Sequence, residues 1–330
     1  MAILVTGGAG YIGSQTAKTL AQAGLQPVVL DNLQRGHREA VQWGPLIEAD
    51  TADQGALEKI FREHAIEAVM HFAAFAYVGE SMREPTLYFR NNVASTLTLL
   101  EAMRVCGVRT MVFSSTCATY GNPQRVPISE DHPQHPVNPY GESKLMVERL
   151  LHWFGSIHGL RWAALRYFNA AGADPDGRLG ERHDPETHLI PLAISAAMGR
   201  IQALEIYGTD YDTPDGTAIR DYLHVTDLGE AHVAALRYLR DAGESTAFNL
   251  GTGRGHSVRE VIAMVERVSG RRVPVREVGR RAGDPPCLVA DASKSAERMN
   301  WHPAHSSLEE IVQTAWNWHR SVPVPAGGIE

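Results

Sequence analysis

AILVTGGAGYIG, residues 2–13, decides the architecture. An apolar run enters a glycine turn, and the turn opens a helical pattern that reaches about Ala23, with Gly24 as its stop. Strand, tight turn and helix in that order begin a βαβ unit. The glycines are spaced Gly7-x-x-Gly10-x-x-Gly13. They let a pyrophosphate approach the helix N-terminus, where free amides and the helix dipole attract anions. The next apolar run, residues 27–30, ends in Asp31. A carboxylate there accepts a ribose hydroxyl hydrogen bond and repels a 2′-phosphate, so NAD is expected over NADP. Arg35 is the nearby cation that runs against this preference.

Working outward, further apolar runs lie at residues 46–49, 68–74, 110–114 and 162–167, with helical patterns between them, notably at 86–106 and 140–157. This alternation predicts an α/β, doubly wound parallel sheet of Rossmann type, covered on both faces, with ligands at the carboxyl ends of the strands. After Asn169 the rhythm changes. Residues 172–186, 209–216 and 279–286 read as loops, and helices are expected at 225–239, 257–268 and 307–319. Ser257 and Glu260 form a capping-box pattern. The expected organisation is a nucleotide-binding domain over 1–170, rejoined by part of 217–250, and a smaller mixed C-terminal domain over 171–330 that holds substrate. The tail at 321–330, rich in Pro and Gly, is expected to be loosely held.

Composition limits the function. The chain has 330 residues, 44% of them apolar, and 38 acidic against 31 basic side chains give a net charge of −7. No nucleic-acid partner is expected of so mildly acidic a chain. No apolar run is long enough for a membrane span, and no signal-like segment opens the chain, so a cytoplasmic location is expected. Cys106, Cys117 and Cys287 do not make a disulfide framework. Among fifteen histidines, the pairs His132/His135 and His302/His305 lack a third ligand, so no metal is expected.

Two further motifs carry chemistry. Tyr140-Gly-Glu-Ser-Lys144 places a phenol and an ammonium on one helix face. A free tyrosine, with a pKa of about 10, is too weak a base at neutral pH. Lys144 and a positively charged nicotinamide together would bring it into range. Ser114-Ser-Thr116-Cys-Ala-Thr-Tyr-Gly121 follows the fifth apolar run, where hydroxyls face the same crevice. Thr116 is suited to relay or orient a proton between a substrate hydroxyl and Tyr140. Taken alone, the first motif is an ordinary exposed helix face and the second ordinary turn chemistry.

In combination and in this order, the three motifs resemble the extended short-chain dehydrogenase/reductase superfamily, and most closely the UDP-glucose 4-epimerase family. DNL (31–33), HFAA (71–74), VGES (78–81), NNV (91–93), NPYGESK (138–144), LRYFNAAGADPDGRLGE (165–181), YGTDYDTPDGTAIRDYLHV (207–225) and RRAGDPP (280–286) extend the likeness over nearly the whole chain. The resemblance implies an NAD-dependent isomerase that oxidises a UDP-hexose transiently at C4. By position, Gly7, Gly10, Tyr11, Ile12 and Gly13 would cradle the pyrophosphate, Asp31 and Asn32 the ribose, and Asp50 and Thr51 the adenine. Phe72, Ala73, Asn91, Ser114 and Phe168 would line the rest of the groove, with Tyr140 and Lys144 as base and cation. Asn169, Leu189, Tyr207, Arg220, Arg281 and Asp284 would bind UDP. Arginine forks suit a diphosphate, although surface ion pairing is the plain alternative for both.

The chain departs from that pattern in places. Ala76 stands where many members have Lys, and Thr116 where many have Ser. The FAAFAYVGES variant is closer to a subgroup that includes pentose-nucleotide 4-epimerases. Leu288 occupies a position bordering the sugar where some relatives carry Tyr, so N-acetylated sugars are expected to gain entry; the plain alternative is a core leucine. A 4,6-dehydratase is a competing reading, countered by Cys117 and Ala118 where dehydratases have a carboxylate pair. A non-catalytic NAD-binding protein is another, countered by the Tyr–Lys pair. Phe89, Val93, Leu97 and Leu100, with Met146, Val147, Leu150, Leu151, Trp153 and Phe154, form wide apolar helix faces. These, with the resemblance, point to a homodimer.

Overall fold

The structure, a computed structural model, describes residues 1–281 and 283–322. The expected loose tail therefore lies mostly outside the described residues. Strands β1 (Ala2–Thr6), β2 (Gln26–Asp31), β3 (Leu46–Glu48), β4 (Ile66–His71), β5 (Thr110–Thr116) and β6 (Arg161–Tyr167) join Thr246–Leu250 in one seven-stranded sheet. The order is Thr246–Leu250, β6, β5, β4, β1, β2, β3, and every pairing is parallel. Chain order reverses between β1 and β4, which opens a crevice at their carboxyl ends. β1 is buried along its whole length, as a central strand covered on both faces must be.

Two cores sandwich the sheet. Helices Gln54–Glu63, Ser95–Cys106 and Pro139–His158 pack on one face, through Leu57, Leu99, Met103, Val147 and Leu151. Helices α1 (Tyr11–Gln22) and Val225–Arg240 pack on the other, through Leu20, Leu228 and Leu236. A third core joins Leu189–Ala197, Val258–Ser269 and Leu308–Ser321. The Ser257–Glu260 capping box is formed. Among the described residues no helix is long and apolar enough to cross a membrane.

The helical pattern expected at 86–106 is not one continuous α-helix. Pro85–Tyr88 passes into a π-helical turn, Phe89–Ala94, before Ser95–Cys106. The cause is Asn92, whose amide accepts from the Phe75 N–H (2.8 Å) and donates to the Phe75 carbonyl and the Ser143 hydroxyl (3.0 Å each). The wider turn shifts the register, so the supposed stripe splits: Leu100 is core, whereas Leu97 is 45% exposed.

Candidate active site

A cavity of about 880 Å³ opens over the carboxyl ends of the strands and runs on between the two halves of the chain. All the residues expected at the site line it except Asp50. Asp50 is instead turned onto the Asn32 amide and the Ala52 N–H, each at 2.8 Å, at the exposed rim.

The cofactor end is built from backbone. A Cβ on Gly13 would lie 2.3 Å from the Gly7 carbonyl oxygen, so only glycine permits this tight cradle. Asp31 accepts from the amides of Ala9 (3.0 Å) and Leu33 (2.8 Å) and is 7% exposed. Burial raises its pKa, and the two amides work against that shift. A glycine cradle ahead of a helix, with a buried carboxylate at the end of the second strand, fits the pyrophosphate and ribose of a dinucleotide. Arg35 is not a free cation for a 2′-phosphate. It lies between the rings of Phe75 and Tyr77, at 4.8 and 4.7 Å, and pairs with Glu80 at 2.7 Å. Ala76 lies on the cavity wall beside it.

The reactive centre is set by the helix Pro139–His158. The Asn138 side chain caps it by accepting from the Gly141 N–H at 2.8 Å, and Pro139 fills the first turn. Tyr140 therefore sits in the first turn, where the helix dipole favours a phenolate. A Cβ on Gly141 would meet the Ala118 carbonyl oxygen at 2.5 Å, so glycine lets the helix start close beside the Cys117–Thr119 turn. Thr116 caps that turn, accepting from the Ala118 N–H at 3.1 Å. Lys144, one turn on, is buried and donates to the Ser114 carbonyl at 2.7 Å, with its ammonium over the Phe113 ring. Glu148, a further turn on, pairs with Arg166 at 2.6 Å, both side chains 7% exposed, and accepts from Ser115 at 2.5 Å. That buried pair fixes the helix to β5 and β6.

Without a cofactor charge, burial works against both members of the Tyr–Lys pair. It raises the Tyr140 phenol well above its ordinary range, and the Thr116 hydroxyl offsets this only in part. It pushes Lys144 down to about 7, with Glu148 opposing. A positive charge placed beside the phenol would act against that upward shift.

At the other end, Arg220 pairs with Asp284, and Arg281 lies 4.1 Å above the Tyr207 ring. Arg220 thus makes an ion pair, but on the cavity wall rather than on open surface. The Tyr207 hydroxyl donates to Glu205. Leu288 sits in register beside Arg220 in a short parallel pairing and is half-buried against Phe168, Cys117 and Tyr120. The loop between the ends is tied to α1: Lys18 holds Asp174 (2.5 Å) and Asp176 (2.6 Å), and the Tyr11 hydroxyl donates to the Gly172 carbonyl at 2.6 Å.

Sequence reasoning missed part of this wall. Tyr77, Glu80, Glu181, His183 and His188 also line the cavity. The last three belong to the spacing Glu181-x-His183-x-x-Glu186-x-His188, most of which falls in the stretch 172–186 that reads as loop. Two of the histidines weighed as ligands have local partners instead. His132 accepts from the Gln124 N–H at 2.9 Å, and His305 pairs with Glu310 at 2.7 Å.

Residues 3–251 match the model of the NAD dependent epimerase/dehydratase family. The chain is 52% identical to a UDP-glucose 4-epimerase of Rhizobium leguminosarum bv. trifolii, with 96% of this chain and 97% of that one covered. It is similar in structure to UDP-glucose 4-epimerase from Brucella ovis in complex with NAD (TM-score 0.94, 55% identity, covering 96% of this chain and 97% of that one). A UDP-glucose-4-epimerase from Stenotrophomonas maltophila, with bound NAD and formylated UDP-arabinopyranose, superposes with a TM-score of 0.95 at 40% identity, covering 97% and 98%.

Proposed function

The chain belongs to the NAD dependent epimerase/dehydratase family, and we propose that it interconverts UDP-galactose and UDP-glucose by transient oxidation at C4, with NAD as its cofactor. The observation that carries this reading is that Tyr140, Lys144 and Thr116 line the same cavity as the glycine cradle and the arginines of the far end. NAD held on that cradle supplies reversible removal of a hydride from C4. Tyr140 takes the proton from the C4 hydroxyl, and Thr116 orients that hydroxyl. Lys144 adds positive charge below the phenol. Arg220 and Arg281 hold the diphosphate while the 4-keto sugar turns over, and Tyr140 returns the proton. No net oxidation results.

Cys117 and Ala118, directly after Thr116, offer no carboxylate pair for a dehydratase elimination. Incubation with UDP-galactose should yield UDP-glucose with no added reductant. Formation of a 4-keto-6-deoxy product instead would overturn the reading. The arabinopyranose nucleotide in the Stenotrophomonas neighbour favours a second arm of that assay, with UDP-arabinose.

The sugar end is gated by Leu288. Its pairing with Arg220 fixes the backbone, so a larger side chain there projects into the pocket. Leu288→Tyr should lower kcat/KM for UDP-GalNAc relative to UDP-Gal by roughly 5- to 150-fold, the effect of about 1–3 kcal/mol of overpacking. An unchanged ratio, or a wild type that already rejects UDP-GalNAc, would sink the gate.

The active assembly is a homodimer. Trp153 is 60% exposed on the Tyr140 helix, and Met146 and Leu97 are exposed beside it, while Val147, Leu151 and Leu100 serve the core. This support is narrower than the full apolar list, because only Leu97, Met146 and Trp153 of its ten residues are exposed. Light scattering should give twice the chain mass at micromolar concentration, and Trp153→Lys should give the monomer. A monomeric wild type refutes the assembly. A cytoplasmic setting accords with three free cysteines.

A further inference from the structure

The loop that roofs the cavity ends in a cluster the reaction does not use. Glu181, His183, Glu186 and His188 each offer one ligand atom, and the four atoms lie within 4.8 Å of one another. Glu181 Oε1 is 2.6 Å from His188 Nδ1 and 3.1 Å from His183 Nδ1. Glu186 reaches the same ring nitrogens at 3.2 and 3.8 Å. Ligands about 2.0–2.2 Å from a tetrahedral zinc ion stand roughly 3.4 Å apart, close to the middle of these separations. The Glu181 side chain is only 5% exposed. His183 Nδ1 is buried and has no hydrogen-bond partner among the described residues, although the carboxylate oxygen is within reach.

The surroundings hold the set in place. Glu186 accepts from the amides of Thr187 (2.7 Å) and His188 (2.9 Å). The Glu181 carbonyl accepts from the Trp318 indole at 3.0 Å. Tyr11 and Tyr77 meet the His183 ring edge-on at 6.5 and 5.7 Å. His188 directly precedes the helix Leu189–Ala197.

We propose that Glu181, His183, Glu186 and His188 bind one divalent transition-metal ion, of which zinc matches the donors best. Two carboxylates and two neutral imidazoles balance its charge and leave no open position, as in a structural site. The ion is a clip rather than a catalyst. It closes the loop between Tyr11, in the first turn of the glycine-cradle helix, and Leu189, at the sugar-nucleotide end.

The test uses the full chain made without a histidine tag. After desalting, elemental analysis should find about one zinc per chain, and replacement by cobalt(II) should give the visible absorption of a tetrahedral site. Removal with dipicolinate should lower Tm by several degrees, and added zinc should restore it. His183→Gln with His188→Gln should retain the fold by circular dichroism and lose the metal. His183→Gln alone guards against a double variant that fails to fold. The proposal is overturned if folded wild type carries almost no metal and takes up neither zinc nor cobalt. It is equally overturned if folded His183→Gln keeps its full complement, and in either case the cluster is a set of ion pairs only.

Discussion

Tyr140→Phe is expected to lower kcat by roughly 10²- to 10⁴-fold, the usual worth of a positioned acid–base group, and to leave NAD bound. The ring itself is a packing element, edge-on to Tyr88 at 6.5 Å, and phenylalanine preserves that contact. Only the hydroxyl is lost, and with it the proton acceptor for the C4 hydroxyl. Thr116→Val removes a hydrogen bond to the same centre and the cap on the Ala118 amide. Its loss should be nearer tenfold, because a single hydrogen bond contributes about 0.5–1.5 kcal/mol. Steady-state turnover of UDP-galactose, with NAD content read by absorbance after denaturation, checks both. Near-normal turnover in Tyr140→Phe would remove that residue from the mechanism.

The second large effect is on stability in acid. Burial pushes three histidines down, His71 to about 3 and His224 and His232 to about 4. Their hydrogen bonds fix them as neutral. The Thr96 hydroxyl spends its proton on the Asn92 carbonyl (2.6 Å), so it accepts from His71 Nε2, and Thr6 donates to Nδ1. His224 Nδ1 accepts from the Thr226 amide at 3.1 Å. His232 donates to the Leu228 carbonyl at 2.8 Å, and its Nε2 is buried with no partner among the described residues. In the unfolded chain each takes up a proton near pH 6.5, whereas the folded chain does not until far lower. The contribution of these three rings is therefore full above pH 6.5 and falls between there and about pH 4. At pH 5 the loss is about 2 kcal/mol for each histidine and several kcal/mol together. Urea unfolding across pH 5–7.5 measures it, and His232→Phe should flatten the slope by about a third. A flat wild-type profile would mean that these rings protonate in place.

Much of the nucleotide-binding half was legible because its strands are apolar runs, three of which, β1, β2 and β5, end at Gly, Asp or Ser/Thr. The strand Thr246–Leu250 was not separately visible, since Asn249 interrupts the run. In the structure that amide is satisfied internally, donating to the Ile128 carbonyl at 2.8 Å and accepting from the Tyr120 hydroxyl at 2.7 Å. The π-helical turn was equally hidden. Periodicity assumes a constant turn, and the side chain that breaks it, Asn92, bonds to residues of another segment. The Tyr–Lys spacing was readable, but its electrostatics were not. Burial, which no motif encodes, drives Tyr140 further above the neutral range and brings Lys144 down into it. The Glu181–His188 spacing is masked by its surroundings, because the Gly, Pro and Asp around it read as loop.

The place of Thr246–Leu250 in the sheet also bears on synthesis. Until residue 250 has left the ribosome, β6 has an open edge, and the nascent chain cannot complete the sheet that carries the cofactor cradle. The helix Val225–Arg240, which covers the face holding Ile3, Val5 and Met70, arrives only shortly before it. A chain cut after the expected boundary at 170 would leave that face bare and the edge unpaired, a state prone to aggregation. The two halves are therefore expected to mature as one unit.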